Sequence, residues 1–268
     1  MTRVMGILNT TPDSFSDGGL WNDRERALHR ALAMVAAGAD IIDVGGESTR
    51  PGAQSIGVQQ ELDRVVPVIE AIAAETSTTI SVDTSKPEVM AAAVAAGAGF
   101  INDVLALRGE GALETAARLG VPVCLMHMQG RPRDMQCEPV YTDVVAEVET
   151  FLLQRANACR AAGIPADRIL IDPGFGFGKT LEHNLALFRA LPRLCGAGYG
   201  VLVGVSRKSM LGALTGKPVE QRLAASVTAA VLAAERGVSV LRVHDVAETV
   251  DALKVTSALI QTGPLASG

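Results

Sequence analysis

The feature that most constrains this chain is a strict alternation of two kinds of segment. Short, β-branched, apolar runs occupy residues 4–8, 41–44, 79–82, 100–101, 121–126, 169–171, 201–205 and 240–243. Between and after them lie Ala-, Leu-, Glu- and Arg-rich stretches at 24–37, 59–75, 87–96, 110–119, 143–162, 181–190, 220–236 and 246–260. The strand-like runs are apolar throughout rather than at every second position, as expected of parallel strands covered on both faces. Ala-Gly-Ala at 37–39 and again at 96–98 ends a helix-like stretch and leads straight into the next run, with Gly at the customary C-terminal cap. Eight β/α units predict a closed (β/α)8 TIM barrel of the α/β class, with a doubly wound open sheet as the alternative. No linker or shift of composition divides the chain. A single domain is expected over 1–262, with 263–268 as a tail.

Composition narrows the function classes. The 268 residues suit one barrel of this kind, and 48% hydrophobic with only 3% aromatic content implies an aliphatic core. A formal net charge of −5 leaves no basic surplus for a nucleic-acid partner. Cys124, Cys137, Cys159 and Cys195 fit no zinc or disulfide spacing, and His127 and His183 lack ligand-spaced partners. The expectation is a reduced, soluble, cytoplasmic protein, since no export signal and no apolar run of about 18 residues is visible. Phe175-Gly176-Phe177-Gly178-Lys179-Thr180 resembles a phosphate-binding loop, but Pro173 stands where the first Gly of G-x-x-x-x-G-K-[ST] is required. An ATPase reading fails there.

The turns before the strands are short and plain, whereas those after them are long and polar. Two are very long, 9–23 and 45–58. In a barrel these emerge at the C-terminal face, where active sites sit, and long loops there are candidate lids. Each strand end also carries polar residues. The strings include Asn9-Thr10-Thr11-Pro12-Asp13, Asp43-Val44-Gly45-Gly46-Glu47-Ser48-Thr49-Arg50-Pro51-Gly52, Ser81-Val82-Asp83, Asn102-Asp103, Met126-His127, Asp172-Pro173-Gly174, Gly204-Val205-Ser206-Arg207-Lys208-Ser209 and Arg242-Val243-His244-Asp245.

Asp83, Asn102 and Asp172 are short acid and amide groups on one rim. One such Asp is easily a helix N-cap. Three together suit a flat heterocycle that presents N–H donors to carboxylates. Arg242 and His244 lie two residues apart on one strand face and form an expected cationic cluster suited to phosphate.

In order and spacing, these strings together resemble the dihydropteroate synthases along almost the whole chain. The resemblance implies condensation of 6-hydroxymethyl-7,8-dihydropterin pyrophosphate with p-aminobenzoate, and it names Asp83, Asp172, Lys208, Arg242 and His244 as the catalytic group. It assigns Asp83, Asn102, Asp172 and Lys208 to the pterin, with Met126, Phe177 and Gly204 shaping the wall. Asn9, Thr49, Arg50, Arg242 and His244 go to the pyrophosphate, and Mg²⁺ to Asn9. Thr49, Pro51, Phe177, Ser206 and Lys208 go to p-aminobenzoate, Ser206 preceding a helix whose N–H groups suit a carboxylate. Asp17 and Arg50 are expected to act in loop closure, and 220–236 with 246–260 in a homodimer. Two alternatives remain: a pterin-dependent methyltransferase and a non-catalytic pterin-binding homologue. The family often closes the barrel floor with a short N-terminal hairpin, whereas here the first strand begins at residue 4.

Overall fold

In the computed structural model the alternation becomes a closed barrel of eight parallel strands in sequence order, β1 pairing with β8. The structure describes residues 2–11, 20–49, 52–130, 135 and 139–260. The strands are β1 (Arg3–Asn9), β2 (Ile41–Gly45), β3 (Thr79–Asp83), β4 (Phe100–Asp103), β5 (Val123–Met126), β6 (Ile169–Asp172), β7 (Gly200–Val203) and β8 (Val240–Val243). The helices are α1 (Leu20–Ala36), α2 (Val58–Glu75), α3 (Pro87–Ala95), α4 (Ala112–Leu119), α5 (Val144–Ala161), α6 (Leu181–Arg189), α7 (Leu191–Cys195), α8 (Ser209–Thr215), α9 (Leu223–Glu235) and α10 (Val246–Ile260). The open-sheet alternative is thereby excluded.

The apolar runs are buried on both faces, as the absence of alternation requires. All residues of β2, β4, β5 and β6 are buried. One face of each strand joins the large core beneath the helices. The other points inward, where Met5, Ile41, Phe100, Cys124, Leu170, Leu202 and Val240 form a separate apolar cluster near the strand beginnings. This cluster fills the barrel floor from inside.

Helix ends follow local chemistry. Asp143 caps α5 by accepting from the N–H groups of Val145 and Ala146, both at 3.0 Å. Gly120, at φ 66°, ends α4. Two helices escape the sequence pattern, α7 and α8, because five and seven residues are too few to express helical periodicity. The helix expected over 220–236 begins at Leu223, after a single 3₁₀ turn at Val219–Gln221 that follows Pro218. The position of α8 matters, since it places a short extra helix at the C-terminal face directly after β7. Among the described residues no helix is long and apolar enough to cross a membrane.

Phe100 is the one aromatic side chain of the floor and is 2% exposed. Phe100→Ala should cost ~3–5 kcal/mol of unfolding free energy in a denaturant titration, because the floor lies away from the loops and cannot collapse onto them.

Candidate active site

Side chains two residues apart on a strand share a face. One such step beyond the floor, the interior changes character. Asp43 follows Ile41, Asn102 follows Phe100, Asp172 follows Leu170, Gly204 follows Leu202 and Arg242 follows Val240. Ser81 and Asp83 enter from β3, whose Asp83 pairs in register with Asn102. Polar groups therefore line the barrel just above hydrocarbon.

Arg242 is the hub of this layer. Its Nε donates to Asp43 Oδ2 at 2.6 Å and its Nη2 to Asp83 Oδ2 at 2.9 Å. Asn102 Nδ2 donates to the same Asp43 oxygen at 3.1 Å. Asp43 is fully buried. Among the described residues its Oδ1 and the Ser81 hydroxyl find no partner. Burial pushes the Asp83 carboxyl up to about 7 against the pull of Arg242, with Asp43 adding to the rise. Burial opposes the charge of Arg242, but Asp43 and Asp83 beside it hold its pKa above the ordinary value. Arg242, expected at the diphosphate, thus also bridges the carboxylates of β2 and β3.

The opposite side is built by the β6–α6 loop. Asp172 Oδ1 accepts the Gly174 N–H at 2.7 Å, and burial raises the Asp172 pKa despite nearby Lys208. Lys208 donates to the Phe175 carbonyl and holds its ammonium 4.5 Å from the centre of the Phe177 ring. Burial lowers the Lys208 pKa to about 8, with Asp172 pulling the other way. Phe177, like Val104 and Leu105, packs against a cluster of Met126, Met128 and Met135, so an aromatic ring and thioethers stand together beside Lys208.

At the rim between β7 and β8, Ser206 Oγ lies 3.0 Å from His244 Nδ1 and accepts the His244 backbone N–H at 3.2 Å. Burial, then Arg242 and Arg207, lower His244 to about 4. The imidazole is therefore neutral at pH 7, and the cluster expected to be cationic holds one guanidinium beside a neutral ring. Arg207 adopts φ 59° and is tied to Asp245, its Nε at 3.0 Å from Asp245 Oδ2. This left-handed turn aims Ser206 at His244 while presenting Lys208 to the β6–α6 loop.

Comparison with known proteins decides the family. A family model described as pterin binding enzyme matches residues 5–244. The dihydropteroate synthase of Escherichia coli K12 is 52% identical over 258 residues, spanning 96% of this chain and 92% of its own. A structure of Xanthomonas albilineans dihydropteroate synthase with 4-aminobenzoic acid matches with a TM-score of 0.93 at 57% identity, covering 98% of this chain and 94% of that one. A second structure from that organism, in complex with 7,8-dihydropteroate, matches at 0.88 and 54% identity over 98% and 95%. The chain belongs to the dihydropteroate synthase family.

Several residues expected to act in a dihydropteroate synthase can now be placed. Asn9, at the end of β1, and Thr49, in the loop four residues beyond β2, are both half-buried. A Cβ built on Gly45 would lie 3.8 Å from Asn9 Oδ1 and 3.7 Å from Asp83 Oδ2, so both side chains flank the end of β2. Gly204 packs against Arg242. Ser206, expected at the p-aminobenzoate subsite, is 6% exposed and has its hydroxyl committed to His244. Its contacts orient that imidazole. Asp17, Arg50 and Pro51 lie outside the described residues. Asp43 opens the polar string at the end of β2 but was given no role, although a lone carboxylate in an apolar run is itself a signal. No group of three potential metal-binding His, Cys, Asp or Glu side chains occurs among the described residues. One amide oxygen at Asn9 fits a hard cation only if substrate oxygens and water complete its shell.

Asp43→Ala removes the partner shared by Arg242 and Asn102. It should destabilise the protein by ~3–5 kcal/mol in denaturant titration. It should also lower the Asp83 pKa in an NMR titration, since a like charge disappears and Arg242 then serves Asp83 alone.

Proposed function

We propose that the rim just described performs the family's reaction, joining 6-hydroxymethyl-7,8-dihydropterin pyrophosphate to p-aminobenzoate to give 7,8-dihydropteroate and pyrophosphate. The observation that carries this reading is the near-full-length match to dihydropteroate synthases. The polar rim supports it independently, being built for a flat heterocycle next to an anion. The pterin's 2-amino and N3–H edge suits the buried carboxylates of Asp83 and Asp172, with Asn102 beside them. Lys208 faces the pterin's carbonyl or ring nitrogen, and Met126, Phe177 and Gly204 bound the ring.

The diphosphate belongs at Asn9, Arg242 and His244, and Thr49 and Arg50 are proposed to contribute to its binding. Two donors of Arg242 go to carboxylates, which leaves others of its five N–H groups to turn outward. With Ser206 donating to Nδ1, His244 carries its proton on Nε2 and donates from there. A magnesium ion would be held by Asn9 together with substrate oxygens and water, and would supply charge neutralisation for the leaving diphosphate. The hydroxyl–imidazole pair at this rim, Ser206 with His244, has its serine buried and lies on the proposed diphosphate side, so it offers the methylene carbon no nucleophile, which favours a dissociative order. The C–O bond breaks with its electron pair leaving on pyrophosphate. The electron-rich dihydropterin then carries the methylene cation between Asp83 and Asp172. The aniline nitrogen attacks that carbon and loses a proton. Phe177 and Lys208 are proposed to face the incoming ring, with Thr49, Pro51 and Ser206 completing its subsite.

Homodimerisation is proposed through α9 and α10, which expose Leu223, Leu232, Val255 and Leu259 to solvent at 39%, 43%, 59% and 81%. A cytoplasmic setting is proposed to go with the soluble small-molecule substrates.

The test is an assay with both substrates, with and without Mg²⁺. Dihydropteroate should appear and should depend on the metal; a complete absence of product overturns the reading. Pyrophosphate released without the amine supports the dissociative order, and strict dependence on the amine argues against it. Pterin affinity should also follow a bell in pH. It falls as pH drops through about 7, where Asp83 takes up a proton and stops accepting. It falls again as pH rises through about 8, where Lys208 loses its positive charge. Calorimetric titration between pH 5.5 and 9.5 checks both limbs.

A further inference from the structure

The β6–α6 loop encloses a cation that the proposed chemistry does not use. Lys179 is 3% exposed. Its Nζ lies 2.9 Å from the Gly174 carbonyl, 2.9 Å from that of Phe177, 3.0 Å from His127 Nδ1 and 3.4 Å from the His127 carbonyl. Every one of these partners is neutral. His127 is held uncharged by burial and then by Lys179 itself, its pKa lowered to about 3. Among the described residues no carboxylate forms an ion pair with this ammonium. Burial lowers its pKa to about 7, with Asp172 pulling the other way. A charge this buried and this poorly compensated is expensive, so its surroundings point to a purpose.

The purpose lies in what converges on it. The end of β5 and the β6–α6 loop approach each other so closely that two glycines are required. A Cβ on Gly174 would sit 1.9 Å from the His127 carbonyl oxygen, and one on Gly178 would sit 2.3 Å from that of Gln129. Three carbonyl oxygens, from His127, Gly174 and Phe177, thereby point at a common spot, where their dipoles repel unless a positive charge sits among them. The other face of the same loop is the active site. The Gly174 N–H holds Asp172, the Phe175 carbonyl holds Lys208, and the Phe177 ring lies beneath the Lys208 ammonium.

We propose that Lys179 is a positioning residue, an internal monovalent cation that gathers the carbonyls of His127, Gly174 and Phe177 and so sets the Asp172–Lys208–Phe177 wall of the active site. The inference rests on the function proposed above for that wall. It explains why the Gly-Phe-Gly-Lys string resembles a phosphate loop without binding phosphate. The glycines permit close backbone approach, and the lysine serves the loop's own carbonyls. Three carbonyls and an imidazole nitrogen are also the donor set of a small monovalent cation site, here filled by a tethered ammonium. Cutting the tether should leave a site that a free cation can occupy.

The experiment compares wild type, Lys179→Ala and Lys179→Met as full-length proteins. Kinetics of both substrates and thermal unfolding are measured in potassium, methylammonium or tetramethylammonium chloride at equal ionic strength. Both variants should lose on the order of tenfold to a hundredfold in kcat/KM, the scale of a misplaced catalytic wall. Methylammonium or potassium should restore part of that loss in Lys179→Ala, where the stem's space is empty. Neither ion should help Lys179→Met, whose side chain fills that space, and tetramethylammonium should help neither variant. If Lys179→Ala does not fold in ordinary buffer, the same ions should rescue its refolding in the same order. Wild-type kinetics in Lys179→Met would overturn the proposal. So would an Ala variant whose activity and stability respond to no cation. A wild-type protein that makes no dihydropteroate refutes the functional reading instead, while cation-dependent stability of Lys179→Ala still reports on Lys179.

Discussion

Arg242 places one positive charge between Asp43 and Asp83, at the level where the barrel interior turns from hydrocarbon to solvent. Carboxylates on neighbouring strands, and Asp172 across the barrel, would not sit stably so close to an apolar floor without it. The guanidinium suits this position because its fork reaches two acceptors at once. Asn102 then completes the shared oxygen of Asp43. The remaining polar rim is arranged around this group. Asp83 keeps a raised pKa, Lys208 a lowered one, and His244 stays neutral partly because Arg242 is near.

The same strands serve two separate ends. Their first inward residues build an apolar floor that holds the barrel closed, and the next ones build the rim. This division is the general economy of the fold, with stability at one end and chemistry at the other. The β6–α6 and β7–α8 connections extend it. Asn184 accepts the Gly176 N–H at 2.7 Å, Arg222 donates to the Arg207 carbonyl at 2.9 Å, and Ser226 accepts the Arg207 N–H at 2.9 Å. Helix side chains thus brace the loops from behind, so the rim is held by a second layer of contacts rather than by the strands alone.

The parts legible in sequence are those governed by local periodicity. Eight apolar runs and eight helix-like stretches suffice for the barrel, because parallel strands must be apolar on both faces and must be linked by helices. The residues at the strand ends were also visible, since polar side chains after an apolar run stand out. What escaped depends on partners distant in the chain. The pairing of Arg242 with Asp43 joins residues 199 positions apart, and only closure of β1 onto β8 reveals it. Ser206 reads as a ligand residue until the Arg207 turn points it at His244. Lys179 reads as part of a failed phosphate motif until the two glycines bring β5 against its loop.

The electrostatic state of the rim couples substrate binding to protons. In the free site at pH 7 Asp83 is near half-protonation, Arg242 and Lys208 supply the positive charge, and His244 is uncharged. A pterin bound as proposed would bring N–H donors to the carboxylates, which favours their ionised form and draws Asp83 downward. A diphosphate bound as proposed would bring negative charge to His244, which favours protonation of the ring and draws its pKa upward. The two halves of one substrate would therefore bias protons in opposite directions, toward release at Asp83 and toward uptake at His244. Arg242 touches the first group and lowers the second, so each half of the substrate changes the field felt by the other. The hub that keeps the empty rim stable is then also the element through which heterocycle and leaving group are bound as one unit.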